Sequence, residues 1–387
     1  MNADQILTEA VEQTGLDDLG DHGDVVRAGL ATYVDACDAE ADLSELGGMV
    51  VHGALVAALV NRLRVADHVK HNPSVRQQPV ESPVVVVGLF RAGTTLISNL
   101  FGQDPANRAL LRWESGDSVP PPSPDELQSG PRVDAAQAGV DMLEAINPGI
   151  RAIHHEDANA PTECIAVLGQ AFQSISWEAL ANVPSYAEWW RTSDLTAGYE
   201  YHRDVLQVLQ SNGAGGRWTL KSPGHALALD ALTAVYPDAR LVVLHRDPVA
   251  LVASVSSLIH TMSGAFSDVD HRPYIREHWS QTLEDCIARL DAFEAAQPGR
   301  LHHVQYAELL TDPVGTMAGL YDALGLETTT EASDGFARYA AEHPRGSFGV
   351  HTYDLDSYGL VEGELRERFA GYVARYDVPL EVGTGSA

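Results

Sequence analysis

The stretch VVVVGLFRAGTT, Val84 to Thr95, constrains this chain more than any other. Four consecutive valines suit a strand buried on both faces of a parallel sheet. The turn after them leads into RAGTTLISNLFGQ, which predicts a helix. Strand, tight turn and helix start together aim backbone N–H groups and the positive helix end at one point, a ready cradle for an anion. Gly88 and Gly93 are spaced as in a Walker A loop, yet Thr94 stands where the nucleotide-binding lysine belongs, and the base is Arg91. A nucleotide-dependent phosphotransferase would therefore lack its principal residue. A tight turn with no ligand is the plainer alternative, but it leaves the hydroxyls and the arginine unexplained.

The α/β alternation continues downstream. RWTLK reads as a strand followed by the helix SPGHALALDALTAVY, with Ser222 as its cap and Pro223 at its first position. LVVLH is a second buried strand, followed by a helix capped by Asp247, with Leu251, Val255, Leu258 and Ile259 as its buried stripe. LHHVQY is a third strand, and Asp312-Pro313 opens another helix. One C-terminal helix is expected to carry Leu365, Phe369, Tyr372, Val373 and Tyr376 on one face. Strands alternating with helices imply a parallel sheet with right-handed crossovers. Residues 1–75 read as a helical segment packed on this core. Residues 76–387 form the α/β domain, with a helical insertion over 134–212 whose Trp177, Tyr186, Trp189 and Trp190 suit core packing.

Charge narrows the partners. The chain of 387 residues has a formal net charge of −29, which works against a nucleic-acid surface. Lys70 and Lys221 are its only lysines, so an anion site must rely on arginine, Lys221 and backbone amides. Cys37, Cys164 and Cys286 are odd in number and far apart, which argues against a disulfide framework or a zinc site. The longest apolar run without an acid or base, Met49 to Val60 around His52, is short of the roughly 20 residues of a membrane span. The acidic N-terminus is unlike a signal peptide. A cytoplasmic protein is expected.

A second motif lies at the end of the LVVLH strand. Arg246 there points into the crevice where open α/β sheets bind ligands. Ser254 follows about two helical turns along, so arginine and hydroxyl could grip one phosphate group. GLFRAGTT together with VVLHRDPVALVAS resembles the nucleotide-binding motifs of sulfotransferases that use 3′-phosphoadenosine 5′-phosphosulfate. RWTLKSPGH, YPDARLVVLHRDP, NVPSYAEWW and HTYDLDSYGL are similar to the bacterial branch written P-R-S/T-G-T-T, L-K-x-P-x-H and H-R-D-P. The resemblance spans about Asn61 to Tyr376. It implies a P-loop-like three-layer α/β/α fold with a central parallel sheet, and sulfuryl transfer to a hydroxyl of a small-molecule, lipid or sugar acceptor.

By that resemblance, Arg91, Ala92, Gly93, Thr94 and Thr95 would hold the 5′-phosphosulfate. Arg246 and Ser254 would hold the 3′-phosphate, and Tyr306 would lie near the nucleotide. Ala92 departs from the usual Ser or Thr but keeps its amide, and Phe90 replaces the usual proline. Arg91 and Lys221 are the cations for the leaving group, with no metal required. Two residues compete as general base. His225 has the advantage of following Lys221 closely, whereas Glu114 sits beside the proline-rich loop VPPPSPDELQSGP. His154, His155, Glu156 and Glu163 form a polar cluster that is not a zinc-binding HExxH pattern and suits either a helix start or the acceptor pocket. A non-catalytic nucleotide-binding module would keep Arg246 and Ser254 while lacking a base.

Overall fold

The computed structural model describes residues 1–146, 157–343 and 354–381. His154, His155, Glu156 and the start of HTYDLDSYGL lie outside those residues. Five strands form one parallel sheet in the order β2-β3-β1-β4-β5. They are β1 (Val84–Val86), β2 (Asn107–Ala109), β3 (Arg217–Lys221), β4 (Arg240–His245) and β5 (Leu301–Gln305). β1 is central. Its Val84 aligns with Thr219 on one side and Arg240 on the other, and its three valines are fully buried, as strands covered on both faces must be. β2 is the strand the sequence did not announce: three residues at the edge, two of them polar.

Chain direction divides at β1. β2 and β3 lie to one side of it, while β4 and β5 lie to the other. That division opens a crevice beyond the carboxyl ends of β3, β1 and β4, where open α/β sheets take their ligands. Helix starts around the crevice are capped by their own sequence. Asp247 accepts from Val249 N–H to open Pro248–Ser263, and Asp312 accepts from Gly315 N–H to open Pro313–Ala323. Ser222 caps a short 3₁₀ turn, Pro223–Leu227, instead of a continuous helix, and the α-helix starts only at Leu229. The expected C-terminal helix is also two pieces, Glu362–Arg368 and Ala370–Tyr376, broken at Phe369.

Residues 1–71 hold α1 (Ala3–Thr14), α2 (Gly23–Glu40) and α3 (Glu45–His71). Among the described residues, α3 is the one helix long and apolar enough to cross a membrane. Here it is a core helix: Val51, Leu55, Leu59 and Leu63 are fully buried, and it packs on α1 and on the helix Thr196–Gln210. Buried polar groups fix its register. Arg62 Nε donates to Leu19 O at 3.0 Å, and Asn61 Nδ2 donates to Gln170 Oε1 at 2.9 Å. Such groups hold their partners in place because leaving them unpaired in the interior costs about 1–3 kcal/mol each. Between 134 and 212 the described elements are helices, including Pro184–Thr192 and Thr196–Gln210, and Tyr186 and Trp190 are buried there.

Candidate active site

A cavity of about 720 Å³ opens at the crevice. It is walled by Arg91, Gly93, Thr94 and Thr95 after β1, Lys221 at the end of β3, Arg246 after β4 and Tyr306 after β5. Residues more than two hundred positions apart meet because four parallel strands end side by side.

The loop after β1 is folded tightly. Arg91 adopts a left-handed backbone (φ +61°), and so does Gly93 (φ +95°). α4 (Thr94–Phe101) starts directly after Gly93, so its first N–H groups face the cavity mouth. Ala92 is an exception to the sequence expectation. It is fully buried, and its amide donates to Leu89 O at 3.2 Å, so the amide is committed inside the loop and does not line the cavity. Phe90 packs edge-on against Trp279, ring centroids 5.2 Å apart, and this contact takes the place of a rigid proline.

Four cations reach this space in a chain of net charge −29, and one of them, Arg108, is already paired with Glu114. Arg91 Nε donates to Ser254 Oγ at 3.0 Å. Ser254 itself is buried behind that arginine and does not line the cavity. Arg246 Nη1 donates to Arg91 O at 2.9 Å, and its guanidinium lies 4.5 Å from the ring centroid of Tyr306. Lys221 Nζ donates to Thr95 Oγ1 at 3.1 Å and stands 4.0 Å from Glu163 Oε1. Glu163 also lines the cavity.

The C-terminal segment grips the motif that follows β4. His245 Nδ1 is 3.1 Å from the Tyr372 hydroxyl, and its Nε2 is 2.8 Å from His303 Nδ1. Asp247 accepts from Arg366 Nη1 at 2.6 Å and from Glu381 N–H at 2.7 Å. Arg246 Nε and Nη2 both donate to the carboxylate of Glu381, at 2.6 and 3.1 Å.

Neither residue proposed as base from sequence reaches the cavity. The 3₁₀ turn after Lys221 directs His225 inward, where it is fully buried and its Nδ1 is 2.7 Å from the Tyr199 hydroxyl. Burial pushes its pKa down to about 3, helped by the neighbouring His202. Glu114 is also fully buried. One of its oxygens pairs with Arg108 Nη2, and the other accepts from Leu111 N–H at 3.0 Å, capping the short helix Arg112–Gly116. There it holds the Arg108 guanidinium and the start of that helix.

Part of the cavity wall is apolar. Val255, Leu258, Ile259 and Met262 form one stripe of the helix Pro248–Ser263, and Ile165 and Ile175 from the insertion line the same cavity. The sequence marked most of this stripe as core. Its extension to Met262, one turn longer, was the available sign that it serves a cavity as well. Among the described residues, no group of three or more His, Cys, Asp or Glu is placed to hold a metal ion.

Known proteins match this arrangement. The sequence profile of the sulfotransferase family matches residues 83–331. The crystal structure of sulfotransferase STF9 from Mycobacterium avium superposes with a TM-score of 0.90 at 33% identity, covering 99% of this chain and 98% of that one. STF1 from Mycobacterium tuberculosis H37Rv superposes at 0.85 with 35% identity, covering 96% and 99%. The omega-hydroxy-beta-dihydromenaquinone-9 sulfotransferase Stf3 of Mycobacterium bovis is 24% identical over 321 residues, 76% of each chain.

Proposed function

Because this chain belongs to the sulfotransferase family, we propose that it moves a sulfuryl group from 3′-phosphoadenosine 5′-phosphosulfate to the hydroxyl of an apolar, lipid-like alcohol. One observation carries the donor assignment. Arg91, Lys221 and Arg246 converge on a single cavity in a strongly acidic protein that contains only two lysines. The amides at the start of α4 and the hydroxyls of Thr94 and Thr95 suit the phosphosulfate. Arg246, with Tyr306 beneath it, suits a second phosphate, which distinguishes this donor from ATP.

In the proposed step the acceptor oxygen attacks sulfur, a new S–O bond forms, and the bond from sulfur to the bridging oxygen of the 5′-phosphate breaks. The acceptor proton passes to a carboxylate, for which Glu163 is the best-placed group on the cavity wall. Lys221, bonded to Thr95 and 4.0 Å from Glu163, sits between the base and the phosphate seat. It can therefore stabilise the negative charge that builds on the leaving phosphate, as Arg91 can from the loop. Both groups are in position before reaction, so little reorganisation is needed.

The apolar wall supports the acceptor class. Ile165, Ile175, Val255, Leu258, Ile259 and Met262 offer no hydrogen bond to a sugar, whereas a hydrocarbon chain would bury against them at roughly 25 cal/mol per Å². Stf3, whose name gives a hydroxylated dihydromenaquinone as its acceptor, works on a molecule of this kind. We place the protein in the cytoplasm, where the donor would be available to it. Calorimetry with 3′-phosphoadenosine 5′-phosphate, ATP and AMP tests the donor reading. The bisphosphate should bind most tightly, and a preference for ATP would overturn the assignment.

A further inference from the structure

We propose that Glu381 is an internal competitor for the 3′-phosphate: its carboxylate occupies the fork of Arg246, and the donor must displace it to bind. This inference rests on the donor reading above. The geometry points to it directly. Arg246 gives Nε and Nη2 to the two oxygens of Glu381 at 2.6 and 3.1 Å, and Nη1 to Arg91 O at 2.9 Å. The two donors facing outward as a pair are thus committed to one carboxylate, in the bidentate manner a phosphate would use. The guanidinium lies on the cavity wall, over Tyr306, and Glu381, which does not itself line the cavity, takes the same Nε and Nη2 that a nucleotide phosphate would use.

Nε and Nη2 are each already given to one oxygen of Glu381, so a phosphate that takes the same pair of donors must replace the carboxylate. The tail is built to yield. Among the described residues, Val378 is the last buried apolar anchor, Leu380 is about half exposed, and Glu381 is itself one-third exposed. Among the same residues, the remaining tether is the Glu381 N–H bond to Asp247 Oδ2 at 2.7 Å, a contact that water can replace. Return of the carboxylate would in turn help expel the bisphosphate product, which carries the same 3′-phosphate as the donor.

Titration calorimetry with 3′-phosphoadenosine 5′-phosphate and with AMP, which lacks the 3′-phosphate, separates the outcomes. Glu381→Gln should tighten bisphosphate binding about tenfold, the size expected when a charged competitor is removed, and leave AMP binding unchanged. Glu381→Asp keeps the charge but shortens the reach, so it should tighten bisphosphate binding by a smaller factor. It answers the same question should the glutamine variant fold poorly by thermal melting. If the variants bind bisphosphate no more tightly than wild type, or gain equally for AMP, Glu381 is not a competitor for this seat. Arg246→Ala is the separate control. If it leaves bisphosphate affinity intact, the donor reading itself fails.

Discussion

The ring of Tyr306 closes over Gly93 so tightly that a Cβ there would meet Cδ2 at 2.5 Å and Cε2 at 2.7 Å. Gly93 also holds φ +95°, a backbone region that L side chains rarely adopt. Position 93 is therefore constrained twice, by its own backbone and by a residue that arrives from β5, over two hundred positions later. Gly93→Ala should displace Tyr306 and the first turn of α4 together. We expect a loss of about 1–2 kcal/mol in stability from the backbone alone, read by urea unfolding, and at least about tenfold weaker bisphosphate binding.

Removing the proposed base should separate chemistry from binding. Glu163→Gln is nearly isosteric and should lower turnover by roughly 10²–10⁴ while leaving bisphosphate affinity near wild type. His225→Phe should instead keep turnover per folded molecule within a fewfold of wild type, because its ring packs on Tyr199 away from the cavity. A Glu163→Gln enzyme with normal turnover at saturating acceptor would remove that residue from the mechanism.

Glu114 should behave as a structural residue. Its pairing with Arg108 is almost wholly shielded, since the two side chains are 0% and 5% exposed. Glu114→Ala leaves a buried guanidinium without its counter-charge, which typically costs about 3–5 kcal/mol. Chemical denaturation should register that loss. A variant with wild-type stability but no turnover would restore Glu114 as a catalytic candidate.

The apolar wall makes acceptor length testable. Leu258→Trp fills part of the cavity, so long-chain alcohols should lose about tenfold or more in kcat/KM while short alcohols are little affected, the scale on which hydrophobic pockets discriminate. Donor affinity should not change. Equal losses for long and short acceptors would show that the chain does not lie along this helix.

Acid should weaken the fold through its buried histidines. His202, His225 and His245 are each pushed down to about 3 by burial, with His202 adding to the effect on His225 and His303 to that on His245. Each is held neutral in the folded protein, while the unfolded chain takes up protons near pH 6.5. Their contribution is therefore intact above pH 6.5 and falls as the pH drops toward 3, by about 1.4 kcal/mol per pH unit for each ring. Denaturation midpoints measured between pH 7 and 5 should fall accordingly, before most carboxylates titrate. A flat profile would mean the rings gain protons without unfolding.

Much of the scaffold could be read in the chain because buried parallel strands leave continuous apolar runs. VVVVG and LVVLH are such runs, each with the anion loop or a cation just beyond its carboxyl end, and RWTLK, though bounded by charges, ends on the cation Lys221. β2 could not be read this way, since Asn107 and Arg108 lie at a sheet edge and carry no apolar pattern. The placement of the two candidate bases escaped the sequence for a different reason. Closeness to Lys221 in sequence favoured His225, but the 3₁₀ turn at Pro223–Leu227 rotates that side chain into the core. Glu114 looked like a loop acid because its partner, Arg108, belongs to the unannounced strand. Glu163 was visible only as part of a polar cluster, and nothing marked Glu381, a lone acid near the chain's end.

The two lysines also differ as chemical handles. Lys70 sits on the outer surface of α3 with a 62% exposed side chain, whereas the Lys221 side chain is 3% exposed and bonded to Thr95. Amine-reactive reagents should therefore couple at Lys70 far faster than at Lys221, and Lys70 is not among the residues that wall the cavity. A dye or a solid support could be attached at Lys70 with the cavity left open. Lys70→Arg would make the converse reagent: a protein whose single lysine is the shielded one, so that modification of Lys221, located by peptide mapping, reports how often the cavity admits a small electrophile.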